Sequence, residues 1–454
     1  MDVTWPASAA VAILMIAQAQ LARRQLGGWL APGALFCLVW TTATVTSLLI
    51  APEYRIWPGV LWVFLMTCTA HLGGMLVTAE PAVLTGPEPE EAIRTPPVFP
   101  LLLPLLCVSA ALPAAGALYL VHTIGKDSHS MLSLAGLGEI ATYFSKARFT
   151  NPDFREPVPF LLGQAFLYFA ACLGGALFGQ TRSRARRAIA LISVPPAMLG
   201  TVVIGARSVS VAFGMCWVAS YCAVRAYRGY RSPWRNARRA YVWMVLAMAA
   251  FTWFYSQVMW LRVNAYPKSL LDAAINAQLH DESLGYALGT AKNQYVGYLA
   301  AFSRWFSENW DRSESPGFGI YSFDGPAGWL GYKLVRFPEP IQLTPGVPAS
   351  ETNIYSMLRQ MAFDWTLPGS AVFLFLMTVL GSLAYARVRA GSIACIPFTA
   401  MFYWVAMYVT GFAMRSTVPD GAWAMFALYL WVACSPGPEP ELSGARRPHA
   451  ADLV

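Results

Sequence analysis

Charge is what this chain has least of. Only 12% of its 454 residues are Asp, Glu, Lys or Arg, about half the usual share of a soluble domain. Too few charges remain to cover a water-facing surface of this size. No CxxC pair and no His/Cys cluster suggests a metal site, and the histidines (His71, His122, His129, His280 and His449) are scattered. His71, inside an apolar block, is a packed polar residue or a functional one. The eight cysteines all lie within or at the edge of apolar blocks, away from the longest polar loop, so a disulfide framework there is not expected. No tandem repeat is visible, and the two halves do not mirror each other, against the pattern of an inverted-repeat transporter. The first apolar stretch lacks a basic n-region, with Arg23-Arg24 following it, so it reads as a first span rather than a cleaved leader.

What the chain has instead is apolar length. Hydrophobic residues make up 56% of it, with a mean hydropathy of +0.46. At 1.5 Å per residue, apolar blocks of roughly 20 residues cross a hydrocarbon core of about 30 Å. The expected fold class is an all-α polytopic membrane protein of about eleven transmembrane helices. The spans are 5–21, 29–51, 57–79, 99–121, 158–180, 188–205, 208–225, 241–261, 369–386, 391–411 and 419–434. The organisation is then 1–261 for eight spans, 262–368 for one long loop, 369–434 for three spans, and a Pro/Gly-rich disordered tail over 435–454.

Arginine tests that count. Arg23-Arg24, Arg94, Arg182 to Arg187, Arg228 to Arg239, Arg387 with Arg389, and Arg446-Arg447 all fall in loops of one parity. The positive-inside rule makes that parity cytoplasmic, with the N-terminus outside and the C-terminus inside. The net charge of +8 is thus a topology signal and implies no nucleic-acid partner. Two outer loops stand out. Residues 122–157 contain an amphipathic stretch, Met131 to Phe149, suited to the membrane surface. The loop over 262–368 is too long to be idle. It is rich in Tyr, Trp and Phe, and Leu284 to Phe306 is apolar enough to dip into the bilayer or pack on the bundle.

Arg207 and Arg415 are isolated arginines on the predicted outer face. Each can snorkel to headgroups or hold a phosphate, for which the planar guanidinium fork is suited. Before the ninth span comes Glu351-Thr352-Asn353-Ile354-Tyr355, continuing through Arg359 to Phe363-Asp364, with Pro368-Gly369 as boundary. A helix from about Thr352 would stack Tyr355 and Arg359 at i, i+4, with Glu351 at its start. Thr352 or Asn353 would then be its N-cap, and Glu351 would favour the helix dipole. Pro316 to Phe323 reads as a tight turn with structural glycines, followed by an aromatic segment.

These motifs carry a resemblance. Over roughly 200–415 the chain resembles bacterial Wzy-type polymerases of oligosaccharide repeat units, which build O-antigen, capsule or exopolysaccharide. Gly205-Ala206-Arg207-Ser208 opens a span, and Thr352-Asn353-Ile354-Tyr355 leads through Asp364 into another. That looks like the family's T-N-x-Y and D-F-G, with Trp365-Thr366 standing in place of Phe-Gly. Related O-antigen ligases usually carry a His two positions before the Asn; here that position is Glu351. The resemblance implies a membrane glycosyltransferase of the GT-C-like kind at the outer face of the inner membrane. It implies lipid-linked oligosaccharide donor and acceptor on undecaprenyl diphosphate, membrane lipid around them, and a chain-length regulator protein as partner. It implies no cofactor and no metal: arginines would hold the leaving diphosphate and a base would take the proton of the attacking hydroxyl. Glu351, Arg207, Arg359 and Arg415 are then the catalytic candidates, and Asn353, Tyr355 and Asp364 the substrate-binding ones. The alternatives are a ligase-like transferase, a lipid-linked oligosaccharide flippase or transporter, and a scaffold for a glycan-assembly complex.

Overall fold

A computed structural model describes residues 4–77, 99–125, 157–204, 208–232, 296–310, 341–342, 351–352, 356–409 and 417–434, together with Ser133, parts of 136–144, Gly317, Gly319 and Phe323. The chain is an all-α polytopic membrane protein. Its helices are α1 Thr4–Gln25, α2 Pro32–Ile50, α3 Gly59–Val77, α4 Leu102–Thr123, α5 Val158–Gln180, α6 Arg184–Ile189, α7 Val194–Ile204, α8 Ser208–Tyr227, α9 Gly297–Asn309, α10 Met357–Ala390, α11 Ile396–Met407 and α12 Thr417–Cys434. Two short strands, β1 Ile341–Gln342 and β2 Glu351–Thr352, pair antiparallel.

Seven of these helices, α1 to α5, α8 and α10, are long and apolar enough to cross a membrane. The eighth expected span, 241–261, lies outside the described residues. The sixth is corrected. Where one helix over 188–205 was expected, the chain makes a six-residue helix, a turn, and an eleven-residue helix. Pro195 and Pro196 lack the N–H that a helix interior requires and are tolerated only in a first turn, so α7 must start there. Eleven residues rise about 17 Å, short of the roughly 30 Å core.

Burial follows a membrane logic. On α10, Val372, Leu376, Leu380 and Leu383 are exposed, whereas Leu374, Thr378, Ser382 and Tyr385 are buried. Both sets recur at helical spacing, so the apolar stripe faces outward and the polar one inward. Small residues let backbones approach in such a bundle. A Cβ added at Gly175 on α5 would lie 2.1 Å from the Trp217 carbonyl oxygen on α8.

Contacts sort the helix ends into two sets. Arg23 and Arg24 end α1, and the next turn places Gly28 against the Arg231 backbone. The Arg228 Nη1 donates to the Gly179 carbonyl at 3.1 Å, joining the ends of α5 and α8. Tyr385, near the Arg387 and Arg389 end of α10, lies in the field of Arg231. At the opposite end, the Gly59 N–H opening α3 donates to Ser303 Oγ at 3.1 Å, and the Met357 N–H opening α10 donates to the Val409 carbonyl at 3.3 Å. Phe144 packs on Phe160 at the start of α5. The amphipathic segment between α4 and α5 therefore packs on the bundle through buried Ile140, Ala141 and Phe144. Among the described residues, Arg23 and Arg24, Arg182 to Arg187, Arg228, Arg231, Arg387 and Arg389 gather at one end.

Candidate functional site

The segment expected to carry chemistry sits at the end of the bundle away from the arginine-rich loops. Its core is the first part of α10. Ser356 takes extended angles as N-cap, and the helix starts at Met357. The helix expected from about Thr352 is therefore corrected: Glu351 and Thr352 form β2, paired with Gln342 and Ile341. Strand pairing satisfies backbone groups there, and the helix begins only after the extended Ser356, whose hydroxyl makes no capping bond. The proposed i, i+4 stacking of Tyr355 on Arg359 loses its basis.

After Asp364 the helix breaks. Thr366 sits at φ 63° and ψ 174°, a region that favours glycine. It is the position where the resembled motif carries Gly. Pro368 follows, and the Gly369 N–H reaches the Thr366 hydroxyl at 3.5 Å. The break sets the short helix 357–365 apart from the long membrane-crossing part of α10. The Trp365 ring stacks on Phe373 at 5.2 Å across it.

Arg359 is 6% exposed, Gln360 2% and Asp364 fully buried. The Arg359 guanidinium lies 5.8 Å from the Trp305 ring and 5.2 Å from the Phe363 ring, which are themselves 5.2 Å apart. Cation–π attraction of this kind is worth about 0.5–2 kcal/mol per ring, and two rings restrict where the guanidinium can point. Trp305 comes from α9, the described part of the long loop. Its Tyr298, Leu299, Phe302 and Trp305 are buried and Arg304 and Glu308 exposed. The described part of the apolar stretch, 296–306, thus packs on the bundle, and 284–295 lie outside the described residues. Phe306 stacks on Trp62 of α3 at 6.1 Å, and α9 also touches β2. Burial pushes the Tyr298 hydroxyl well above its ordinary range.

The turn expected near Pro316 is present in its described residues. Gly319 has φ 93°, and the Phe323 N–H donates to its carbonyl at 2.7 Å. The Gly317 N–H donates to the Phe363 carbonyl at 3.0 Å, which ties that turn to the Arg359 helix. The structure thus brings together Arg359, Asp364, the β2 backbone at Glu351, and α9. Arg207, Arg415, Asn353 and Tyr355 lie outside the described residues. Gly200 on α7 approaches Gln164 near the start of α5, and Val409 is bonded to Met357.

Two features escaped the sequence reading. Ser356, Gln360 and Asp364 recur every four residues as a buried polar stripe. Among apolar neighbours that spacing was visible in the sequence, but an exposed helix face would show it equally. The Trp305 and Phe363 pair around Arg359 had no sequence signal beyond aromatic abundance. Among the described residues no cluster of three or more His, Cys, Asp or Glu could hold a metal ion.

Fold and site together define a many-spanning α-helical membrane protein with a buried cation and polar stripe under a capping helix at one end. No family model, curated protein or solved structure matches the chain.

Proposed function

We propose that this protein polymerises undecaprenyl-diphosphate-linked oligosaccharide repeat units into a surface polysaccharide, at the outer face of the inner membrane. The observation that carries the reading is the Arg359 environment. A guanidinium fixed by Trp305 and Phe363 stands at the start of α10, at the end opposite the arginine-rich loops. Positive-inside makes the arginine-rich end cytoplasmic, so this site faces outward, where lipid-linked units are assembled into polymer.

The chemistry is glycosyl transfer. An acceptor hydroxyl attacks the anomeric carbon of the donor, the C–O bond to diphosphate breaks, and undecaprenyl diphosphate leaves with the bonding pair. The acceptor proton goes to a base, assigned to Glu351 on β2. Arg359, with Arg207 and Arg415, balances the charge that develops on the diphosphate, which a rigid cation stabilises better than a mobile one. Asn353, Tyr355 and Asp364 are assigned to substrate binding. The glycine-like backbone at Thr366, at the position of the glycine in the resembled motif, supports the same reading.

The test is polymer formation by the purified protein in vesicles supplied with lipid-linked repeat units. Wild type should give a ladder of products. Glu351→Gln should lower polymer formation about 100- to 10,000-fold, the usual share of a proton-transfer group, and Arg359→Lys should be strongly impaired because the planar fork is lost. Unchanged chain lengths in Glu351→Gln would remove its base role. Absence of any polymer from wild type, with transfer to a different acceptor, would favour the ligase-like alternative.

A further inference from the structure

The arginine-rich end contains more than a topology signal. Arg182, Arg184, Arg186 and Arg187 lie within six residues, all exposed, and α6 buries none of its side chains. Leu191 and Ile192, in the turn that follows, are each 44% exposed. None of the described acidic residues (Glu53, Glu139, Glu308, Glu351, Asp364 and Asp420) lies on α6 or in the turns beside it. Arg187 is committed to the protein: its Nε donates to the Thr181 carbonyl at 3.2 Å, and its guanidinium lies 5.2 Å from the Phe178 ring. Arg228 is likewise bonded to the Gly179 carbonyl. Arg182, Arg184 and Arg186 are committed to no such contact and have no acidic partner among the described residues.

We propose that the corner formed by the end of α5, α6 and the turn at 190–193 is a binding site for the phosphate headgroup of an anionic phospholipid. Three exposed guanidinium groups supply charge and paired donors for phosphate oxygens. Leu191 and Ile192 beside them supply apolar surface for the start of the acyl chains. Packing of Thr181, Phe178 and Arg187 anchors α6 to α5, so the cluster is presented on a fixed short helix rather than a free loop. A solvated face would need the charges but not the adjoining apolar pair. The site is separate from the one assigned to glycosyl transfer, at the opposite end of the bundle.

The experiment compares the full-length protein in nanodiscs of phosphatidylcholine alone and of phosphatidylcholine with phosphatidylglycerol. Native mass spectrometry then counts retained phosphatidylglycerol. Wild type should retain it and unfold a few degrees higher than in phosphatidylcholine. An Arg182→Gln, Arg184→Gln, Arg186→Gln triple variant should bind it about 100-fold more weakly, at roughly 1 kcal/mol per arginine near the surface. The corresponding triple Lys variant should keep most of the binding. If the Gln triple fails to fold, the single Arg184→Gln variant should still show a partial loss. Arg304→Gln, at the other end, should show none. Equal retention by wild type and the Gln variants, or equal loss in the Lys and Gln triples, would overturn the proposal. So would inorganic phosphate giving wild type the same thermal gain, which would make the site one for free anions.

Discussion

The two ends of the bundle handle arginine in opposite ways. At one end arginines occupy the last turns of α1, α6, α8 and α10, and their counter-partners are rings and backbone carbonyls: Phe178 for Arg187, Tyr230 for Arg225 and Arg228, Gly179 for Arg228. No described carboxylate joins them. At the other end the described arginines are Arg55, Arg304 and Arg359, carboxylates are present, and Arg359 is enclosed by Trp305 and Phe363. Numerous exposed cations suit interaction with a charged surface. A single cation held in a fixed place among buried polar groups suits a specific ligand. Burial makes the difference: a desolvated charge interacts far more strongly with its neighbours than one in water.

The broadest way to break the comparison is sidedness, which should be all or none. Ser307 on α9 and Ser183 before α6 are both exposed. In intact cells a cysteine at 307 should react with an impermeant thiol reagent from outside, and one at 183 should react only after the membrane is opened. Labelling of both from outside would place the two ends on the same side and remove the basis for the outward-facing site.

Packing differs along the bundle as well. Gly175→Ala would drive a Cβ to 2.1 Å from a backbone oxygen of α8, which neither helix can relieve locally. A loss of about 3 kcal/mol is expected, read as a lower unfolding temperature in detergent. On the partner helix, nothing lies within 4 Å of a Cβ at Gly214. Gly214→Ala should therefore be neutral or stabilising by up to about 1 kcal/mol. Equal effects at the two positions would mean that α5 and α8 are not the tight seam described.

A smaller effect should separate stability from function at the other end. A Cβ at Gly59 would lie 2.6 Å from the Ser303 Cα, so Gly59→Ala should push α9 away from α3. The cost to stability is expected near 2 kcal/mol, because only the capping helix moves. Polymer formation should fall further than the melting temperature suggests, since α9 carries Trp305. Parallel losses would argue that α9 is scaffold alone. The smallest change runs the other way. Thr366→Gly should stabilise by about 1 kcal/mol by relieving the positive φ, partly offset by the entropy of glycine. Destabilisation would show that the threonine side chain, whose hydroxyl accepts the Gly369 N–H, matters more than the strain.

Much of the architecture was legible beforehand. Apolar length and arginine position located most described helices and sorted their ends. The misreadings have local causes. The expected span over 188–205 joined the end of α6 and the turn after it to a short apolar helix, because hydropathy averages across Pro195-Pro196 without registering where a helix must restart. The helix expected from Thr352 overlooked a strand partner ten residues earlier, which no periodicity in Glu351 to Tyr355 could disclose. The resemblance made Arg359 a candidate, but its aromatic enclosure had no counterpart in the sequence.

The sequence by itself determined that this chain spans a membrane many times, which helix ends face the same side, and where prolines and glycines break the run. Those properties are local: they depend on the cost of burying charge in hydrocarbon and on backbone angles that individual residues permit. Only the tertiary structure decided that α9 folds back onto α3, that Trp305 meets Arg359 across more than fifty residues of chain, and that Ser356, Gln360 and Asp364 turn inward. Helical spacing defines a face, but which neighbour covers that face depends on the packing of the whole bundle.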